Sequence, residues 1–264
     1  MPIHLRQVCL VAENLEPCLR DTEAVFRTPV CHRDPEVAAF GLENALMAFG
    51  SQFLEIVAPT QPGTAAGRFL ERKGGDGGYM VICQVPTLEE QAQLRARAAD
   101  NNVRVAYESD RGTWNIMQLH PRDMGAAFLE VDWDEQADMR GNWQPAGGLA
   151  WTDRAESSTG LEITGIELSS KDPQTLAKHW SRVLGQPVHS LGGEPSISLA
   201  NATLRFSHGE TPRDQGLTGI DILTSSPSDL VSRANDIGLP VWQSGFRMGG
   251  VAFNLYNPPI YDDN

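Results

Sequence analysis

Two short stretches hold the groups with the most chemical promise. Phe53-Leu54-Glu55-Ile56 and Phe128-Leu129-Glu130-Val131 each set a carboxylate directly after Phe-Leu, among apolar neighbours. Alternation along a strand puts every second residue on one face, so Phe53, Glu55 and Val57 share a face, as do Phe128, Glu130 and Asp132. A carboxylate in that setting needs a partner or keeps its proton to a higher pH than usual. If Glu55 and Glu130 meet in one cup they repel, and either a cation sits between them or one retains a proton near neutrality. In the first case they are metal ligands; in the second, one is a general base. His120 precedes Pro121 at a turn and reads either as an acid or substrate contact at the rim or as an exposed turn residue. Tyr79 and Trp114 fall on predicted strands, where they are either core residues or the apolar wall of a ligand pocket. The run Gly74-Gly75-Asp76-Gly77-Gly78 precedes a strand rather than a helix, so it lacks the geometry of a phosphate cradle and reads as a mobile turn.

The elements that carry these residues repeat. Gln7–Ala12 alternates as a strand, a helix follows to about Phe26, and three strand-like pieces come next, at Val37–Phe40, Ala45–Phe49 and Gln52–Ala58. The same order recurs: a strand at Met80–Val85, a helix over Leu88–Asp100, then strands near Val103–Glu108, Trp114–Leu119 and Ala127–Trp133. Aligning Leu15 with Leu88 sets Gln7 on Met80 and, after two residues of drift, brings Phe-Leu-Glu-Ile onto Phe-Leu-Glu-Val, the mark of a duplication. A third copy starts at Ile163-Thr-Gly-Ile-Glu-Leu168 and a fourth at Leu217-Thr-Gly-Ile-Asp-Ile222. The expectation is an α+β fold of four tandem βαβββ units forming two domains with open, cup-shaped mixed sheets. The first domain covers 1–134 (units 5–58 and 79–133), the second 161–264 (units 163–208 and 217–257). A polar, Gly- and Pro-bearing linker joins them over 135–160, in which Trp143 and Trp151 argue that part packs on a surface.

Composition narrows the function. With 264 residues, 41% hydrophobic and 21% charged, the chain is globular in kind, and a net charge of −13 makes nucleic acid and anionic membrane surfaces poor partners. No apolar run is long enough to span a bilayer and the N-terminus lacks an apolar signal core, so a cytoplasmic location is expected. Cys9, Cys18, Cys31 and Cys83 form no CxxC pair, and Cys9 and Cys83 sit inside apolar runs as small core residues.

Paired βαβββ units resemble the vicinal oxygen chelate superfamily of glyoxalases, extradiol dioxygenases and bleomycin-resistance proteins. Within it, Gln52–Pro59, Gly67–Gly74 and the ending Leu119-His-Pro-Arg-Asp-Met-Gly125 followed by Phe128-Leu-Glu130 resemble methylmalonyl-CoA epimerases, over roughly residues 5–133. The resemblance implies a divalent metal held by one ligand from the first and last strand of each unit, here Gln7, Glu55, Met80 and Glu130. Met80 stands where those epimerases have histidine, and a thioether is too soft for the hard ions of this chemistry. The implied set is therefore Gln7, Glu55 and Glu130 around Mg²⁺, Mn²⁺ or Zn²⁺, or no cation at all. In the second domain the same positions fall on Gly165, Arg205, Gly219 and Asn254, which do not chelate. Two functions follow. One is a lyase, isomerase or epimerase acting on a small oxygenated acid or acyl thioester, with Glu130 and Glu55 handling protons and Tyr79, Met80, Trp114 and His120 around the substrate. The other is a metal-free cup that sequesters a small molecule, as bleomycin-resistance proteins do. In either case the partner is a small-molecule ligand, and a homodimer is compatible with both.

Overall fold

A computed structural model describes residues 2–153 and 160–258. The four units are present in full. Unit one is β1 (His4–Val11), α1 (Leu15–Phe26), β2 (Val30–His32), β3 (Leu42–Phe49) and β4 (Gln52–Pro59). A short helix, α2 (Ala65–Lys73), leads into unit two: β5 (Gly77–Gln84), α3 (Leu88–Asp100), β6 (Val105–Asp110), β7 (Trp114–Leu119), the single turn α4 (Pro121–Met124) and β8 (Phe128–Asp134). Unit three is β9 (Leu161–Ser170), α5 (Pro173–Leu184), β10 (His189–Leu191), β11 (Glu194–Ser198) and β12 (Thr203–His208). Unit four is β13 (Gly216–Thr224), α6 (Pro227–Asp236), β14 (Val241–Trp242), β15 (Gly245–Met248) and β16 (Val251–Tyr256).

Pairing follows one rule twice. β1 runs parallel to β4 and antiparallel to β5, and β5 runs parallel to β8. In the second half β9 runs parallel to β12 and antiparallel to β13, and β13 runs parallel to β16. Each half is thus an open mixed sheet in which the first and last strands of each unit lie side by side and the two first strands meet at the centre. The halves touch edge-on through the Leu217–Gly78 pair of β13 and β5. Buried amides reinforce the seam. Gln52 donates to the Ile163 carbonyl (2.7 Å) and accepts from the Ile163 N–H (2.9 Å), while Asn201 does the same for Leu5. A primary amide presents a donor and an acceptor side by side, so each mimics a missing strand neighbour.

The helices cover one face of the sheets and pack in pairs across the halves, α1 on α6 and α3 on α5. Helix α5 shows why they form. The Asp172 carboxylate accepts from the Thr175 N–H (3.0 Å) as N-cap, Pro173 opens the first turn, and Gly185 ends the helix at φ 68°. Leu176, Ala177, Trp180, Val183 and Leu184 then fall on one stripe and are buried, each large side chain contributing about 1.5–3 kcal/mol.

Two expectations need correcting. Val37–Phe40 is not a strand: Asp34 caps a 3-10 turn over Pro35–Phe40, and the first short strand is Val30–His32. The Asp34 side chain accepts from the Glu36 N–H, and Pro35 fixes the φ the turn needs. The glycine run is not a mobile turn: Gly74 ends α2 at φ 76°, and Gly77 and Gly78 begin β5, buried. The stretch after β8 packs over its described part, as its two tryptophans suggest: Trp143 is 1% and Trp151 5% exposed. The remainder of the expected linker, 154–159, lies outside the described residues.

Candidate functional site

The concave side of the first sheet surrounds a cavity of about 1370 Å³. Gln7 (β1), Glu55 (β4), Tyr79 and Met80 (β5), Trp114 (β7), His120 at the start of α4, and Glu130 (β8) all line it. The register brings them together. Glu55 lies beside Cys9 on β1, Glu130 beside Ile82 on β5, and Gln7 and Ile82 oppose each other across the central pair.

Glu55 is buried and heavily solvated by protein. The Gln7 amide donates to one of its oxygens (2.8 Å) and the Asn44 amide to the other (2.7 Å). Burial pushes its carboxyl up, and hydrogen bonds from Asn44, Cys9 and Gln7 oppose that push. Glu130 is held by fewer groups, with Gln118 donating to it (2.6 Å). Burial drives its carboxyl up to about 7, against the Gln118 hydrogen bond and with the Glu55 charge adding to the rise. Directly behind it on the same face of β8, Asp132 is 2% exposed, and burial together with the Glu130 charge pushes its carboxyl well up. The row of acids continues to Asp134, which accepts from Gln84 (2.9 Å), and Gln84 in turn accepts from the buried Arg6 (2.5 Å). Burial lowers the Arg6 guanidinium to about 10.

Aromatic rings form the walls. Phe69 and Phe128 pack edge-on against Tyr79 at 5.2 and 5.0 Å, and Arg111 stacks on Trp114 at 4.6 Å. Across the mouth, Phe40 meets Tyr107 at 5.0 Å and Glu36 pairs with Arg111, so the Pro35–Phe40 turn of unit one is tied to β6 and the β6–β7 turn of unit two. The exposed Arg68, Arg72 and Arg122 also line the cavity, and none of the three pairs with a carboxylate among the described residues. His120 caps α4, its Nδ1 accepting from the Arg122 N–H (3.2 Å). In the neutral ring the proton therefore sits on Nε2.

The donor set does not fit a divalent cation. The Gln7 oxygen accepts from the Trp143 indole N–H (2.9 Å), and because an indole only donates, the amide orientation is fixed with its N–H₂ toward Glu55. Both Glu55 oxygens already accept N–H donors, and Met80 offers only sulfur. Among the described residues no three His, Cys, Asp or Glu side chains stand close enough to share an ion. What the arrangement can do without one is move a proton: Glu130 stands in the cavity wall with a carboxyl poised near neutrality.

The second cup is built differently. Arg205 occupies its centre, donating to both Asp221 oxygens (2.9 and 2.7 Å) and to Glu167 (2.8 Å), while Asn254 also donates to Asp221 (3.0 Å). Sequence reasoning passed over those two acids, although each follows the repeated Thr-Gly-Ile, at Glu167 and Asp221. In the first cup, sequence reasoning passed over Asn44, Gln118 and Arg6. None has a pattern of its own, since each is placed by the strand beside it.

Cup, register and cavity together define a vicinal oxygen chelate protein. Residues 32–184 match the sequence model of the glyoxalase-like domain, more than half the chain, and the chain belongs to that family. In structure it is similar to a hypothetical protein from Staphylococcus aureus (11% identity over 98% of this chain and 100% of that one, TM-score 0.65). It is also similar to a 4-hydroxymandelate synthase variant from Streptomyces coelicolor (11% identity over 90% of this chain and 76% of that one, TM-score 0.62). A methylmalonyl-CoA epimerase variant from Streptomyces coelicolor is 22% identical over 51% of this chain and 99% of its own, with a TM-score of 0.44. At these identities the likeness shows the fold alone. No curated protein matches the chain.

Proposed function

We propose that the first domain is a metal-independent proton-transfer enzyme, an isomerase, epimerase or lyase acting on a small oxygenated acid or its acyl thioester. The observation that carries this reading is Glu130: a cavity-wall carboxyl that burial holds near 7, the range in which a side chain both takes and returns a proton at neutral pH. Glu130 abstracts the proton beside the substrate carbonyl. Glu55, fixed by Gln7 and Asn44, is the second carboxyl of the cup, and its charge helps Glu130 hold the proton it takes. Arg68, Arg72 and Arg122 suit an anionic group, and Tyr79, Met80, Phe128 and Trp114 suit its apolar part. The His120 Nε2–H is a donor for the oxyanion. We place this site in a domain spanning 1–134, with a second domain over 161–264.

The test is proton exchange. Branched acyl thioesters and 2-hydroxy and 2-oxo acids are incubated with the protein in D₂O, and loss of the C2 proton is followed by ¹H NMR. Exchange on one substrate class, falling as pH drops below about 7 because the base is then protonated, supports the reading. Glu130→Gln should slow it by about 10²–10⁴-fold. Saturable binding with no exchange anywhere in the panel would instead favour a sequestering protein, to which Met80 and the saturated Glu55 point.

A further inference from the structure

The stretch that leaves β8 returns across the cup. Asp138 folds it, accepting from the N–H groups of Arg140 (3.0 Å) and Gly141 (2.8 Å). Arg6 stacks on the Trp143 ring at 4.8 Å and donates to the Asp138 carbonyl (2.7 Å). Trp151 caps the stretch from the other side, edge-on against Phe53 at 5.0 Å, with its indole N–H on the Gly141 carbonyl (3.1 Å). Trp143 is thereby held at 1% exposure with its own N–H aimed at Gln7. We propose that Trp143 is a positioning residue for the site: by taking the Gln7 oxygen it turns the Gln7 amide onto Glu55, and so keeps this cup as a hydrogen-bonding centre rather than a metal-binding one.

The consequence is chemical. Without the indole donor, the Glu55 carboxylate alone holds the Gln7 amide, and a cation in the cup can turn it about its last bond to present oxygen. One Glu55 oxygen loses its amide donor at the same time. Restoring a nitrogen ligand at Met80 is then not enough to make a metal site while Trp143 is in place, because the neutral oxygen ligand is still turned away. The inference concerns the same site as the proposed function but not its reaction, so the experiment is run on metal alone.

Mn²⁺ and Zn²⁺ are titrated calorimetrically into the full chain carrying Met80→His, and into Met80→His with Trp143→Phe. Phenylalanine keeps most of the ring volume and removes the N–H. The double variant should bind at least tenfold tighter than Met80→His alone; a smaller gain for both metals overturns the proposal. If the double variant does not melt cooperatively, the unaltered protein decides. In ¹⁵N NMR the Trp143 indole proton should resist exchange with solvent and show cross-relaxation to the Gln7 side chain. Rapid exchange, or no such contact, overturns it equally. Neither arm depends on turnover, so failure here leaves the role of Glu130 standing.

Discussion

Glu130 lies at 4% exposure with its carboxyl held near 7 instead of the ordinary 4.5, and this has a thermodynamic price as well as a catalytic use. A carboxyl whose folded-state pKa is raised stabilises the fold fully below its unfolded value. That stability is lost as pH rises through the folded one, here between about 4.5 and about 7. The difference amounts to about 3 kcal/mol. Glu130→Gln removes the ionisation while keeping the shape. It should therefore leave stability nearly unchanged at pH 4 and raise it by about 2–3 kcal/mol at pH 8, read from denaturant midpoints. Equal effects at both pH values would show that the carboxyl does not titrate in that window. Glu55 and Glu130 were legible in the sequence because a duplicated Phe-Leu-Glu step names a face and a position on it. The state of Gln7 was not, because the group that decides it, Trp143, is 136 residues away and belongs to no strand.

Helices were read well and short strands poorly, for one reason. α3 and α5 carry caps and a buried stripe over three turns, so many residues agree on each assignment. β2, β10 and β14 are two or three residues long, and β10 and β14 are exposed throughout. No alternation can register over such a length, and these edges exist only because a neighbouring strand pairs with them. Helix α2 matters to the site, since it brings Arg68, Phe69 and Arg72 to the cavity. Its first turn rests on Thr64, whose hydroxyl accepts from the Gly67 N–H (2.9 Å) and which is 6% exposed. Thr64→Ala should lower stability by about 1 kcal/mol with an unchanged denaturant slope. The same variant should weaken ligand binding at the cavity, because the wall it supports frays first. A stability loss with fully native binding would place α2 outside the site.

At the scale of the whole chain the two halves form one continuous sheet through the pairing of β5 with β13, and a glycine stands at that pairing for a steric reason. Gly78 pairs with Leu10 of β1 and with Leu217 of β13. A Cβ added there would lie 2.3 Å from Leu217 Cδ2 and 2.4 Å from the Leu217 carbonyl oxygen. The side chain can turn aside, but a backbone carbonyl in a paired strand has nowhere to go without opening the seam. Around it, the amide pairs Gln52–Ile163 and Asn201–Leu5 and the cross-packed helices α1–α6 and α3–α5 depend on the same spacing. Gly78→Ala should therefore destabilise by about 3 kcal/mol, the upper end for an overpacked site. It should also split the unfolding curve into two steps with a shallower first slope, as the halves lose their coupling. Gly112→Ala is the matched control: its added carbon meets nothing, and only its φ of 78° opposes the change, which should remove about 1–2 kcal/mol and leave one transition. Equal losses for the two variants, both in a single step, would mean that the Gly78–Leu217 contact does not couple the halves and that the amide pairs and the helix pairs hold them together.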